Sequence, residues 1–258
     1  MLVATARPER ITTIPGEMTP IPSAAALKVQ VFADGADKTR ILELYANNMI
    51  RGFTTNPTLM RQVGIADYEG FAKDILARIS DRPISFEVFS DEFDDMERQA
   101  RKIASWGRNV FVKIPVTNTK GESAAPLIRR LVKEGVQLNI TAILTIAQID
   151  EVVDALRGTR HSYVSVFAGR IADTGRDPLP FMIHAVAACN RAGGMEVIWA
   201  SPRELLNIFQ ADQIGCHVIT VTPDILKKLA TAGKDLGEFS LDTVKMFYND
   251  GAAAGFRL

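Results

Sequence analysis

Eight short runs rich in Val, Ile and Phe recur along this chain, each followed by a longer stretch with helical spacing of its apolar residues. The runs are LKVQVFAD near 27–34, IRGFTT near 50–55, PISFEV near 83–88, NVFVKIP near 109–115, VQLNIT near 136–141, SYVSVF near 162–167, EVIWAS near 196–201 and HVITVT near 217–222. Between them lie patterns such as DEFDDMERQARKIASW, where Phe93, Met96, Ala100, Ile103 and Ala104 fall on one helical face beside charged residues. Strands that alternate with helices in this way form a parallel sheet covered by the crossovers. Closing eight of them into a barrel leaves no exposed sheet edge. The expected fold is therefore α/β, a single (β/α)8 TIM barrel over residues 28–258 that includes an extra C-terminal helix from Ser240 to Gly255. Residues 1–27, with Pro15, Pro20 and Pro22, are expected to be a mobile or loosely docked N-terminal extension. An open doubly wound sheet is the rival architecture, but FADGADKTR after the first strand lacks the G-x-G-x-x-G spacing of that fold's nucleotide-binding turn.

Composition narrows the partners. Thirty Lys and Arg balance thirty Asp and Glu in 258 residues, so there is no basic field for nucleic acid and no acidic tail. Cys189 and Cys216 form no Cys-x-x-Cys pair, which fits a reducing cytoplasm. No stretch has the roughly 20 apolar residues of a membrane span, and the leader has no secretory apolar core. A cytoplasmic protein acting on small molecules is expected, with no membrane partner.

In a barrel of this kind the chemistry gathers where the strands end. The expected strands end in Asp34; in Thr54, Thr55 and Asn56; in Glu87; in Lys113; in Asn139 and Thr141; in Ser165, with Arg170 beyond; in Ser201, with Arg203; and in Thr220 and Thr222. Taken singly these have bland explanations, since Asp34 or Asn56 could cap the next helix and Thr is common in strands. Lys113 stands apart because it interrupts the apolar run VFVKIP, where a lone ammonium loses its hydration. Two readings stay open at this point: a structural ion pair with Glu87 or Asp34, or a nucleophilic amine. Imine chemistry needs an amine, an acid to expel water and a base to take a hydroxyl proton, and the strand ends supply all three.

The motifs FADGAD, GFTTNPTLM, FEVFS, VFVKIPVT, LNITAILTIAQ, SVFAGRIADTGRD and WASPRELLN, in this order, resemble the transaldolase and fructose 6-phosphate aldolase family. The resemblance runs from about Val29 to the last strand. It implies a transaldolase that transfers a dihydroxyacetone unit from sedoheptulose 7-phosphate or fructose 6-phosphate to an aldose phosphate in the pentose phosphate pathway, without cofactor or metal, in a homo-oligomer. It implies that Lys113 forms the Schiff base, that Asp34 shuttles the proton and that Glu87 and Thr141 hold the catalytic water. Asn56, beside Thr55, and Asn139 would bind hydroxyls; Ser165 and Phe167 would line the pocket; Arg170, Ser201 and Arg203 would bind phosphate.

Glu87, Asn139 and Phe167 favour the transferase branch, because the aldolase branch has glutamine, an apolar residue and tyrosine there. Gly35, Val166 and Pro202 depart from the family's usual threonine, proline and phenylalanine. They change the donor pocket without removing a catalytic group. Rival functions are a metal-dependent aldolase, for which His161, His184 and His217 offer no ligand spacing, and a barrel that binds sugar phosphate without turning it over.

Overall fold

Alternation along each strand puts one residue set against the helices and the other into the interior, and this builds the site. A computed structural model describes residues 26–257, so most of the expected extension at 1–27 lies outside the described residues. The strands are β1 (Gln30–Asp34), β2 (Ile50–Thr54), β3 (Ile84–Glu87), β4 (Val110–Pro115), β5 (Leu138–Ile143), β6 (Ser162–Val166), β7 (Met195–Trp199) and β8 (Val218–Val221). All neighbours pair in parallel, β8 pairs with β1, and the barrel is closed in sequence order. The covering helices are α1 (Lys38–Tyr45), α2 (Pro57–Gln62), α3 (Tyr68–Arg78), α4 (Phe93–Ala104), α5 (Ala125–Lys133), α6 (Ile146–Ala155), α7 (Ala168–Ala172), α8 (Leu179–Ala192), α9 (Leu206–Gln213) and α10 (Pro223–Lys227).

The expected strands are all present, with edges that move by a few residues. The first starts at Gln30 rather than Leu27, and β5 continues past Thr141 to Ile143. Helix α4 shows why the helices form where they do. Met96, Ala100 and Ile103 are its buried stripe, while Asp94 and Asp95 in its first turn and Arg101 and Lys102 in its last complement the helix dipole. Thr145 and Gln148 start α6 with a reciprocal capping box.

Apolar side chains on the outer faces of the strands pack under the helices, and a second, smaller cluster fills the interior: Phe32, Phe111, Tyr163, Ile198, Ala200 and Val218. Phe32 meets Tyr163 edge-on at 5.7 Å, and Phe111 lies 4.5 Å from the same ring. Each buried aromatic of this kind contributes on the order of 1.5–3 kcal/mol. Gly52 makes room for this floor, since a Cβ there would lie 2.6 Å from the Phe32 ring. Two residues further along the same strands, on the same face, come Asp34, Lys113, Ser165 and Thr220. The interior thus changes from aromatic to polar in one step toward the C-terminal ends.

The chain divides into two units at about residue 232, and the described part of the second is 233–257. It carries α11 (Leu236–Ala253), capped by Asp235 and starting four residues before the expected Ser240. No residue of this helix is buried, and Leu236, Phe239, Val244, Phe247 and Tyr248 are exposed. Among the described residues no helix is long and apolar enough to cross a membrane.

Candidate active site

A cavity of about 440 Å³ opens at the C-terminal ends of the strands. Its walls include Asp34, Asn56, Glu87, Lys113, Asn139, Thr141, Ser165, Phe167, Arg170 and Ser201, so the structure brings together all the expected site residues except Thr55 and Arg203.

Lys113 is 7% exposed. Its Nζ donates to the Thr55 carbonyl at 2.8 Å and lies 3.1 Å from the Glu87 carboxylate. Strand register makes this pair, because Glu87 on β3 sits directly beside Lys113 on β4. Glu87 is itself held from behind: the Tyr68 hydroxyl accepts from its N–H at 2.8 Å and donates to its carbonyl at 2.9 Å. Burial raises the phenol of Tyr68 far above its ordinary range, so it stays a neutral two-way clamp. Sequence reading missed Tyr68, which looks like one more core aromatic at a helix start.

Asp34 accepts from the Thr54 hydroxyl at 2.7 Å, and that hydroxyl lies 2.6 Å from the Thr220 hydroxyl. Burial pushes the Asp34 carboxyl above the usual carboxylate range; the Lys113 charge and the Thr54 hydrogen bond pull against it, and the Glu87 charge adds to the rise. A carboxyl so placed holds a proton more readily than a surface aspartate.

Across the cavity from Asp34, Asn139 is buried, donating one amide hydrogen to Ser85 Oγ at 2.9 Å and accepting from Ser165 Oγ at 2.6 Å, with its second amide hydrogen left over. Ser85 also escaped notice in the sequence; its inward place two residues before Glu87 was the available signal. Thr141 Oγ1 is buried and has no hydrogen-bond partner among the described residues. Its backbone explains its aim. The β5–β6 register breaks between Ile140 and Ile143, and Ala142 turns to φ 62°, a left-handed value that an alanine adopts only at a cost.

Asn56 does cap α2, with its Oδ1 accepting from the Leu59 N–H at 2.9 Å, which leaves its amide nitrogen as the group to face a ligand. Thr55 points elsewhere: its hydroxyl donates to the Ser85 carbonyl, and its contribution is the carbonyl under Lys113.

Arg170 lies over the Phe167 ring at 5.7 Å on one rim of the mouth. Beside it, after β7, Ser201 adopts φ 56°, the second left-handed non-glycine residue among those described. Arg203 lies outside the cavity wall, joined to Asp173 by two hydrogen bonds at 2.8 and 2.5 Å. This fork uses Nε and Nη2 and leaves Nη1 for an anion. The three histidines are paired elsewhere: His161 with Glu196, His184 with Asp150, and His217 with Asn190.

A closed parallel barrel with a buried lysine paired to a carboxylate at its C-terminal mouth defines a (β/α)8-barrel protein with a charged site where the strands end. The family model described as "Transaldolase/Fructose-6-phosphate aldolase" matches residues 31–256, and the chain belongs to that family. It is 34% identical over 203 residues to a probable transaldolase of Dehalococcoides mccartyi, covering 78% of this chain and 90% of that protein. It is 36% identical to a probable transaldolase of Thermoanaerobacter sp., over 78% of this chain and 89% of the relative. Among solved structures, 3-keto-L-gulonate-6-phosphate decarboxylase from Vibrio cholerae aligns with TM-score 0.52 at 13% identity over 76% and 88% of the two chains. Dihydrodipicolinate synthase from Rhodopseudomonas palustris aligns with TM-score 0.53 at 16% identity over 87% and 81%. These two share the barrel fold with this chain.

Proposed function

We propose that this protein is a transaldolase of the pentose phosphate pathway that moves a dihydroxyacetone unit from a ketose phosphate, sedoheptulose 7-phosphate or fructose 6-phosphate, to an aldose phosphate. The observation that carries the reading is the buried Lys113 amine 3.1 Å from Glu87. The buried setting argues against a snorkelling lysine, and the open cavity in front of the pair argues against a purely structural one.

In this mechanism Glu87 takes the ammonium proton, and the neutral amine of Lys113 adds to the C2 ketone of the donor. Water leaves from the carbinolamine, with Glu87 and the Thr141 hydroxyl holding it; the unpaired Thr141 Oγ1 supports that role. Asp34 takes the C4 hydroxyl proton, the C3–C4 bond breaks, and its electron pair enters the protonated imine to give an enamine. The enamine then attacks the acceptor aldehyde, Asp34 returns its proton to the new hydroxyl, and water releases the product from Lys113. Asn56, Asn139 and Ser165 orient hydroxyls of the three-carbon unit, while Arg170, Ser201 and Arg203 hold the phosphate.

The experiment is a donor assay with and without an aldose phosphate acceptor. Three-carbon transfer that depends on the acceptor supports the reading. Free dihydroxyacetone released equally fast without acceptor assigns the chain to aldol cleavage instead. We also propose a cytoplasmic homo-oligomer, supported by the apolar residues exposed along α11; a monomer mass in sedimentation would overturn the oligomer.

A further inference from the structure

The residues around Asp34 form a row whose direction can be worked out from hydrogen counting. A threonine hydroxyl has one hydrogen to give. Thr54 spends its own on Asp34 Oδ1 at 2.7 Å, because an ionised carboxylate only accepts. The 2.6 Å contact between Thr54 and Thr220 must then run the other way, with Thr220 as donor. Both threonines are buried, at 3% and 6% exposure, so water does not compete freely for either hydroxyl. The barrel sets this up: β8 and β2 flank β1 on its two sides, Thr54 pairs in register with Asp34, and Thr220 pairs with Phe32, two residues before it.

We propose that Thr220 is a positioning residue for Asp34, holding the Thr54 hydroxyl turned toward the carboxylate so that Asp34 is kept oriented and ionised for proton abstraction. The inference rests on the transaldolase reading for what Asp34 does, but the hydroxyl row itself does not depend on it. A donor that is itself hydrogen-bonded donates more strongly, so losing the outer hydroxyl weakens the inner bond and also frees Thr54 to turn. The charged groups facing Asp34 are Lys113 from β4 and Glu87 from β3, and neither hydrogen-bonds Thr220. The Thr54 bond lowers the proton affinity of Asp34 against the rise caused by burial.

The test compares the wild type with Thr220→Val, which keeps the shape, and Thr220→Ser, which keeps the hydroxyl. Two readouts are taken: the titration of the Asp34 carboxyl by 13C NMR, assigned with Asp34→Asn, and the pH profile of transfer. Thr220→Val is expected to move the Asp34 midpoint and the acid limb of the rate upward together by roughly half a pH unit. Thr220→Ser is expected to restore both, and borohydride trapping of dihydroxyacetone on Lys113 should persist in both Thr220 variants. An unchanged midpoint in Thr220→Val, or a Thr220→Ser protein that behaves like Thr220→Val, overturns the proposal. A wild type that forms no Lys113 adduct overturns the transaldolase reading instead, and the carboxyl midpoint still decides the row.

Discussion

The carbonyl oxygen of Ser201 occupies the place a side chain on Gly169 would need: a Cβ built there would stand 1.6 Å from it. Gly169 is on α7 and Ser201 follows β7, so helix and loop meet backbone to backbone at the left-handed turn of Ser201. Arg203 is drawn in as well, with its Nε 3.3 Å from the same point.

Gly169→Ala therefore has to displace backbone rather than a flexible side chain. A loss of about 1–3 kcal/mol in urea unfolding is expected, together with a larger loss of kcat/KM than any other small substitution on the rim. Wild-type stability and activity in this variant would show that the contact is not rigid.

Glu87 is the carboxylate paired with Lys113, and its exchange for glutamine keeps shape and removes the proton acceptor. Glu87→Gln is expected to lower kcat by roughly 10²- to 10⁴-fold, with KM changed much less, in line with the usual worth of a general acid–base group. Steady-state kinetics with fructose 6-phosphate check this, and an unaffected kcat would remove Glu87 from the mechanism.

Arg203 and Asp173 are both about half exposed, so their ion pair adds little to stability. Arg203→Ala should leave the melting temperature nearly unchanged while raising KM for a phosphorylated donor by about 10- to 100-fold, the range of one charge-assisted hydrogen bond. An unphosphorylated donor such as free dihydroxyacetone should show no such change. Equal effects on both donors would take the phosphate role away from this residue.

The opposite end of the barrel supplies a pH dependence. The hydrogen bond from His161, with the charges of His161 and His217, lowers the Glu196 carboxyl below its usual range against the opposing effect of burial. A carboxylate depressed in the folded state stabilises above its unfolded value of about 4.3 and loses that contribution as pH falls through the folded value. Burial also depresses His217, so from about pH 6.5 downward the unfolded chain binds the proton more readily than the folded one, again favouring unfolding in acid. Urea midpoints should therefore fall from about pH 6.5 downward through His217 and again below about pH 4.3 through Glu196, and the second fall should be smaller in Glu196→Gln. Midpoints that rise over that range would contradict both assignments.

Much of this architecture was legible in the chain because parallel strands buried on both faces leave a strong apolar signature, and because Lys113 interrupts one of them. The pocket was readable by asking what each strand ends with, which put Asp34, Glu87, Lys113 and Thr141 together before any coordinates. What sequence could not supply was orientation. Nothing local says that Thr55 turns its hydroxyl to Ser85 while lending Lys113 its carbonyl, or that Arg203 pairs with Asp173. Tyr68 was invisible because its partner is the backbone of a strand 19 positions away, and the bulge at Ala142 carries no glycine to announce it.

The most direct measurement is borohydride reduction in the presence of fructose 6-phosphate, followed by peptide mapping. A three-carbon adduct on Lys113, absent from Lys113→Ala, is the predicted result. An adduct on another lysine, or none while the sugar is still turned over, would contradict the account.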